Sequence, residues 1–150
     1  MVRMVHKYPH QVTIYGAGPL TNIALAIRLD PHFAELAQEL VLMGGSINPQ
    51  TDAKEWTNAQ RHEFNFWFDP EAASITLKAP WPKISITTID SSLKTSVTPE
   101  FLDELAKSDS LAAKYVVRFA RRGGGVGNYL WDELAAATWL DPSITTKERY

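Results

Sequence analysis

The sequence predicts an α/β fold, a partial parallel-sheet α/β sandwich. Three short runs rich in β-branched and aromatic residues read as strands: Val12-Thr-Ile-Tyr15, Val41-Leu-Met43 and a segment over 83–89. Helical patterns fill the intervals, several of them opening on a capping residue followed by proline. Strands separated by helices pair in parallel through right-handed crossovers. Parallel strands also need cover on both faces, so three of them read as part of a sheet rather than all of it.

The first strand ends at Gly16-Ala-Gly18, and Pro19 can open a helix without needing its N–H. Leu20, Ile23, Ala24 and Ile27 then mark one apolar helical face. Asp30-Pro31 stops that helix and predicts the next, with Asp30 as N-cap and Phe33, Leu36, Ala37 and Leu40 as its apolar stripe. The second strand is cut off by Gly44-Gly45 and followed by a polar stretch over 46–62, longer than most loops of compact domains. Asp69-Pro70 opens a helix through about Lys78, and Thr98-Pro99-Glu100 opens another. Leu111, Tyr115 and Phe119 mark a further helix, broken by Arg121-Arg-Gly-Gly-Gly-Val-Gly127. The last helix spans 131–140 and stops at Asp141-Pro142.

Composition excludes several classes of function. The formal charge of -2, from 15 basic and 17 acidic residues, gives no electrostatic driver for binding nucleic acid or an anionic membrane. Zero cysteines exclude disulfides, thiol catalysis and cysteine-based metal sites. No 18 apolar residues run together and the first ten residues hold no signal-peptide core, so a cytoplasmic protein is expected.

Ligands of parallel α/β folds bind beyond the carboxyl ends of the strands. After the first strand, Gly16-Ala-Gly-Pro-Leu-Thr-Asn22 superficially echoes a dinucleotide fingerprint, but Thr21 replaces the third glycine and Pro19 removes an N–H. A tight turn into a helix is the plainer reading. After the second strand, Met43-Gly-Gly45 either lets a ligand approach the backbone or simply turns. If Glu63-Phe-Asn65 is extended, Glu63 and Asn65 project to one side and suit sugar hydroxyls; otherwise they are two solvated polar residues. Leu130-Trp-Asp-Glu133 sets an aromatic plane beside two carboxylates, fit to stack a base and hold a hard cation, or to cap a helix. His6, His10 and His32 read as surface residues, and His62 could tune Glu63. The glycines of 123–127 beside two arginines lack the Lys-Ser/Thr of a P-loop, and Trp56, Trp67, Trp81 and Trp139 read as packing.

Taken in order, Gly18-Pro-Leu-Thr-Asn22, Leu29-Asp-Pro31, Val41-Leu-Met-Gly-Gly45, Glu63-Phe-Asn65 with Asp69-Pro-Glu-Ala-Ala73, and Trp131-Asp132 with Leu140-Asp-Pro-Ser143 resemble the inosine/uridine-preferring nucleoside hydrolases. These are calcium-dependent enzymes that cleave the N-glycosidic bond of nucleosides. The resemblance implies that the main-chain carbonyl of Ala17 and the carboxylate of Asp132 are Ca²⁺ ligands, with Asp132 also touching the sugar. It implies that Met43 contacts the ribose and that Glu63 and Asn65 hold its hydroxyls. Trp131 stands where many members have histidine, which resembles a purine-specific branch whose tryptophan stacks on the base. A further ribose-binding asparagine falls on Asn58, whose spacing to Glu63 is off, or its slot is taken by Asp52.

The family's Asp-x-Asp-x-Gly-x-Asp-Asp loop, which supplies the other calcium carboxylates and the general base, is absent from the sequence. The expectation is therefore the central portion, over 1–150, of a single nucleoside hydrolase domain missing N-terminal strands and a C-terminal part. Its reaction would be nucleoside plus water to free base and ribose, purine-leaning, with a half-built Ca²⁺ site, no assignable catalytic base, and this chain alone inactive or weakly active. The implied partner is a small-molecule nucleoside, with neither nucleic acid nor membrane, and full-length members are expected to be homo-oligomers. The alternative is a non-catalytic protein that binds a sugar, a nucleoside or a partner through its sheet edge and unfilled cleft.

Overall fold

The structure is a computed structural model that describes residues 1–49, 51, 52, 54–58 and 63–146, with the backbone alone at position 55. In chain order the elements are α1 (Val2–Lys7), β1 (Thr13–Gly16), α2 (Thr21–Leu29), α3 (Phe33–Leu36), β2 (Glu39–Met43), α4 (Lys54–Thr57), α5 (Phe64–Phe68), α6 (Pro70–Lys78), β3 (Ile84–Thr87), α7 (Ile89–Ser92), α8 (Pro99–Leu105), α9 (Leu111–Phe119) and α10 (Asp132–Leu140). A π-helical turn (Ala120–Gly124) prolongs α9, and a 3-10 turn (Pro142–Ile144) follows α10. Among the described residues no helix is long and apolar enough to cross a membrane.

The sheet has the order β1-β2-β3, and both pairings are parallel, as the alternation of strands and helices requires. Tyr15 is level with Val41, and Val41 with Ser85. All five residues of β2 are buried, because this strand has a neighbour on each edge and side chains packed over both faces. Ile14, Leu20, Ile23, Phe33, Leu40 and Leu42 share one core with Ala72 and Ala73 of α6. Trp81 meets Phe33 edge-to-face at 5.6 Å between centroids and donates its indole N–H to the Thr76 carbonyl at 2.8 Å, as packing was expected to use it.

The cap-plus-proline signals hold at α6 and α8. Asp69 accepts from Ala72 N–H at 3.0 Å and Thr98 from Phe101 N–H at 3.1 Å, each with proline in the first turn. Asp30 differs from expectation. Its carboxylate takes His32 N–H at 3.1 Å and His6 Nε2 at 2.6 Å, so it closes a turn ahead of α3 rather than capping it. Leu40 also leaves the expected helical stripe. The chain becomes extended at Ala37, and Leu40 pairs in the sheet with Ile14 and Ile84, which buries it more completely than one further helical turn could. Helix α1 has no counterpart in the sequence reading.

The amino-terminal end of the sheet is fastened by a buried carboxylate. Glu39, first in β2, accepts the Trp139 indole N–H at 2.8 Å and the Thr13 hydroxyl at 3.4 Å, and Lys83 Nζ lies 3.2 Å from its other oxygen. One side chain therefore ties β1, β2, α10 and the residue that leads into β3 together. Burial pushes the Glu39 carboxyl up, but the Trp139 hydrogen bond and the Lys83 ammonium beside it outweigh this and hold the group below the usual glutamate value. Its stabilisation is then full above the unfolded pKa of about 4.3 and fades as pH falls through the lower folded value. Replacing Glu39→Gln is expected to destabilise the fold by about 1–3 kcal/mol at neutral pH in urea unfolding, with the gap to the parent closing below about pH 4.3. A gap that does not change with pH would contradict this.

Candidate functional site

Beyond the carboxyl end of β2, Gly44 and Gly45 lie under the ring of Phe66. A Cβ on Gly44 would stand 2.6 Å from that ring and one on Gly45 2.9 Å, and Gly45 also has a positive φ of 72°. The close approach of Phe66 brings α5 onto the strand end. Glu63, at the N-cap of α5, turns its buried carboxylate inward. Oε2 accepts Gly45 N–H at 2.8 Å and Phe66 N–H at 3.0 Å, and Oε1 accepts Asn65 N–H at 2.9 Å. Asn65 donates its side-chain amide to the Met43 carbonyl at 2.9 Å and approaches the Met43 sulfur at 3.4 Å, leaving its Oδ1 without a donor among the described residues.

Met43, Glu63 and Asn65 are thus brought together, though not by the extended geometry that the sequence reading considered. The segment 64–68 is helical, because the Glu63 carboxylate satisfies first-turn N–H groups that an extended chain would leave to water or a neighbouring strand. The same turn sends Phe64, Trp67 and Phe68 outward, each more than half exposed, while Asn65 is buried. Past Gly45 the loop is held by Asp90, whose carboxylate accepts Ile47 N–H at 2.9 Å and Asn48 N–H at 2.7 Å.

The second part of the site is the start of α10, which packs on β2 and β3 and runs back along them. Asp132 opens this helix without acting as its cap; Trp131 occupies the N-cap position and makes no capping side-chain bond. The chain before it is fixed by an antiparallel bridge between Ser96 and Tyr129 and by Leu130 N–H donating to the Thr95 carbonyl at 3.1 Å. The half-buried Trp131 ring tilts 54° against Tyr129 with centroids 5.1 Å apart. Across from it, the Tyr15 hydroxyl of β1 donates to the Asp132 main-chain carbonyl at 2.7 Å. Burial and, less strongly, the neighbouring Glu133 push the Asp132 carboxyl above the ordinary aspartate value. Burial, Asp132 and Glu133 likewise push the Tyr15 phenol up.

Both parts lie at one edge of the sheet. Gly16 pairs with Leu42, so Ala17 follows β1 at the level of Met43, the last residue of β2. Neighbouring strands are about 4.8 Å apart, which sets the two strand ends side by side. Asn58 stands just past α4, exposed, its N–H donated to the Lys54 carbonyl at 3.0 Å. No contact among the described residues joins it or the exposed Asp52 to Met43, Glu63 or Asn65. His62 lies outside the described residues.

Calcium takes about six to eight oxygen ligands. Among the described residues no three His, Cys, Asp or Glu side chains converge as a metal site, and the two matched donors are a lone main-chain carbonyl at Ala17 and the Asp132 carboxylate. These residues do not by themselves fit Ca²⁺. The sequence reading missed Tyr15, Phe66 and Asp90. An aromatic ring downstream of Gly-Gly was an available signal for Phe66, whereas nothing local pointed from residue 15 to residue 132.

The Glu63 clamp makes a direct prediction. Removing its acceptors in Glu63→Ala strands the N–H groups of Gly45, Asn65 and Phe66 and is expected to cost about 2 kcal/mol or more in urea unfolding. Glu63→Gln keeps one acceptor oxygen and is expected to cost less. Equal stability of all three proteins would contradict the clamp.

Comparison with known proteins agrees with this fold. The family model described as inosine-uridine preferring nucleoside hydrolase matches residues 1–150. Over 154 aligned residues the chain is 33% identical to the probable uridine nucleosidase 1 of Oryza sativa subsp. japonica, covering 97% of this chain and 46% of that protein. The inosine-uridine preferring nucleoside hydrolase of Crithidia fasciculata is 30% identical with the same two coverages. The solved plant nucleoside hydrolase PpNRh1 superposes with a TM-score of 0.73 at 28% identity, over 97% of this chain and 46% of that one. The chain spans about half the length of the curated relatives it matches. A parallel sheet whose strand ends carry these motifs in this order, matched by one family model from end to end, makes the chain a member of the inosine-uridine preferring nucleoside hydrolase family.

Proposed function

We propose that these residues form the sugar- and base-facing wall of a cytoplasmic nucleoside N-ribohydrolase, built as the central portion of a single domain. The observation that carries this reading is the convergence of Met43, Glu63 and Asn65 at the carboxyl end of β2, where parallel α/β folds bind ligands. In the reaction the bond between C1′ and the base nitrogen breaks, its electron pair leaves with the base, water adds its oxygen to C1′, and the proton that water loses balances the one the base nitrogen takes up. Positive charge builds on the sugar as that bond lengthens. Carboxylates already oriented before the reaction stabilise such charge without having to reorganise, and Glu63, clamped by three main-chain donors, is one. Asn65, its amide spent on Met43, offers Oδ1 as an acceptor for a sugar hydroxyl.

Trp131 is the proposed platform for the base, beside Asp132 as a second sugar contact. An indole offers more overlap to a two-ring purine than to a pyrimidine, which supports a purine-leaning preference. Named relatives include uridine-preferring ones, so preference has to be read from binding. The proposal extends to activity: with two calcium donors matched, these 150 residues alone bind nucleoside without sustaining turnover.

Calorimetry with inosine and uridine tests this reading. The chain is expected to bind inosine more tightly than uridine, and Trp131→Ala to weaken inosine by about tenfold or more, the scale of base stacking on an aromatic side chain. Equal affinity of parent and variant, or steady inosine hydrolysis by the purified chain that a calcium chelator abolishes, would overturn it.

A further inference from the structure

Helix α10 begins without a conventional fastening. Its N-cap residue is Trp131, which supplies no oxygen to the first-turn N–H groups, although Trp131 and Asp132 are the two residues whose placement the site needs. Farther along, α10 is tied to the sheet by Thr138, 3.3 Å from the Thr87 hydroxyl, and by Trp139 on Glu39 at 2.8 Å. Both ties lie at least six residues beyond Asp132; Thr87 ends β3 and Glu39 begins β2, at the opposite end of the sheet.

At the start of the helix a strand residue does the fastening. The Tyr15 hydroxyl donates to the Asp132 carbonyl at 2.7 Å, across 117 residues of sequence. A carbonyl oxygen has two lone pairs, so it can take the phenol proton and still accept Ala136 N–H in the ordinary helical step. Tyr15 belongs to β1, one residue before the strand ends, and Gly16 is packed too tightly for a side chain: a Cβ there would lie 2.5 Å from Leu42. The phenol is therefore carried on a rigid strand edge.

We propose that Tyr15 is a positioning residue of this site: its hydroxyl, anchored on β1 and donated into the first turn of α10, sets where Trp131 and Asp132 stand against the carboxyl ends of the strands. The part concerning substrate rests on the reading of Trp131 and Asp132 given above; the part concerning the helix does not.

The test uses the whole chain as Tyr15→Phe, which keeps the ring and removes the hydroxyl, with Thr87→Val as a variant that loosens α10 elsewhere by removing the hydroxyl that faces Thr138. Amide NMR spectra without ligand are compared first. Tyr15→Phe is expected to move the resonances of 132–136 and speed their hydrogen exchange, and Thr87→Val to leave them in place. Inosine titration is expected to show an affinity loss of up to about tenfold for Tyr15→Phe, the scale of one hydrogen bond, and none for Thr87→Val. Unmoved resonances of 132–136 in Tyr15→Phe would overturn the proposal whatever inosine does. Moved resonances with unchanged inosine affinity would overturn the link to the site, and if Trp131→Ala were equally silent the functional reading would fall with it while the helix anchor stood.

Discussion

The structure depends on β2 being enclosed. Five successive residues, Glu39 through Met43, are buried because the strand has a parallel partner on each edge and packed side chains on both faces. A strand so confined has no freedom to slip, since a shift of one residue would exchange its two faces. Its ends become fixed reference points. The amino end places one carboxylate where β1, Lys83 and α10 can all reach it; the carboxyl end places Met43 and two glycines where α5 can close over them.

The two ends use buried polar groups differently. Glu39 takes side-chain hydrogen bonds from β1 and α10 and the charge of Lys83 just before β3, and so holds α10 against the sheet. Glu63 takes main-chain donors, two from its own helix and one from Gly45, and so holds a loop and a helix start at the strand end. Glu63 has both oxygens hydrogen-bonded, whereas Glu39 has its hydrogen bonds on Oε1 and the Lys83 charge beside Oε2. Glu63 makes the link from fold to chemistry, because the bonds that cap α5 also leave a fixed negative charge and the Asn65 oxygen at the edge where ligands of this fold class bind. Tyr15 plays the matching part for α10. The starts of two helices at the carboxyl end of the sheet are thus each tied by a side-chain bond to a distant stretch of sequence.

Much of this was readable from local pattern. The strand runs and the proline-marked starts of α6 and α8 required only side-chain period and cap chemistry, and motif order carried the family. The failures have a common cause. Leu40 fits a helical stripe as well as a strand, and only pairing with Ile14 and Ile84 decides between them. Phe64–Phe68 is rich in strand-favouring aromatics, and its helix exists because Glu63 finds Gly45 eighteen residues away. Helix α1 buries only Val5 and has no capping side chain, so it leaves little periodic signal. The Tyr15 bond joins residues that no spacing rule connects. Local chemistry was legible; what tertiary contact imposes on it was not.

The central claim is that the end of β2 and the start of α10 form one nucleoside-binding surface. An NMR titration with inosine, following the Asn65 side-chain amide and the Trp131 indole N–H, tests this most directly. The account expects both signals to move along a single binding curve with one Kd. Movement of one without the other, or two curves with different Kd values, would show that the two groups do not belong to the same site.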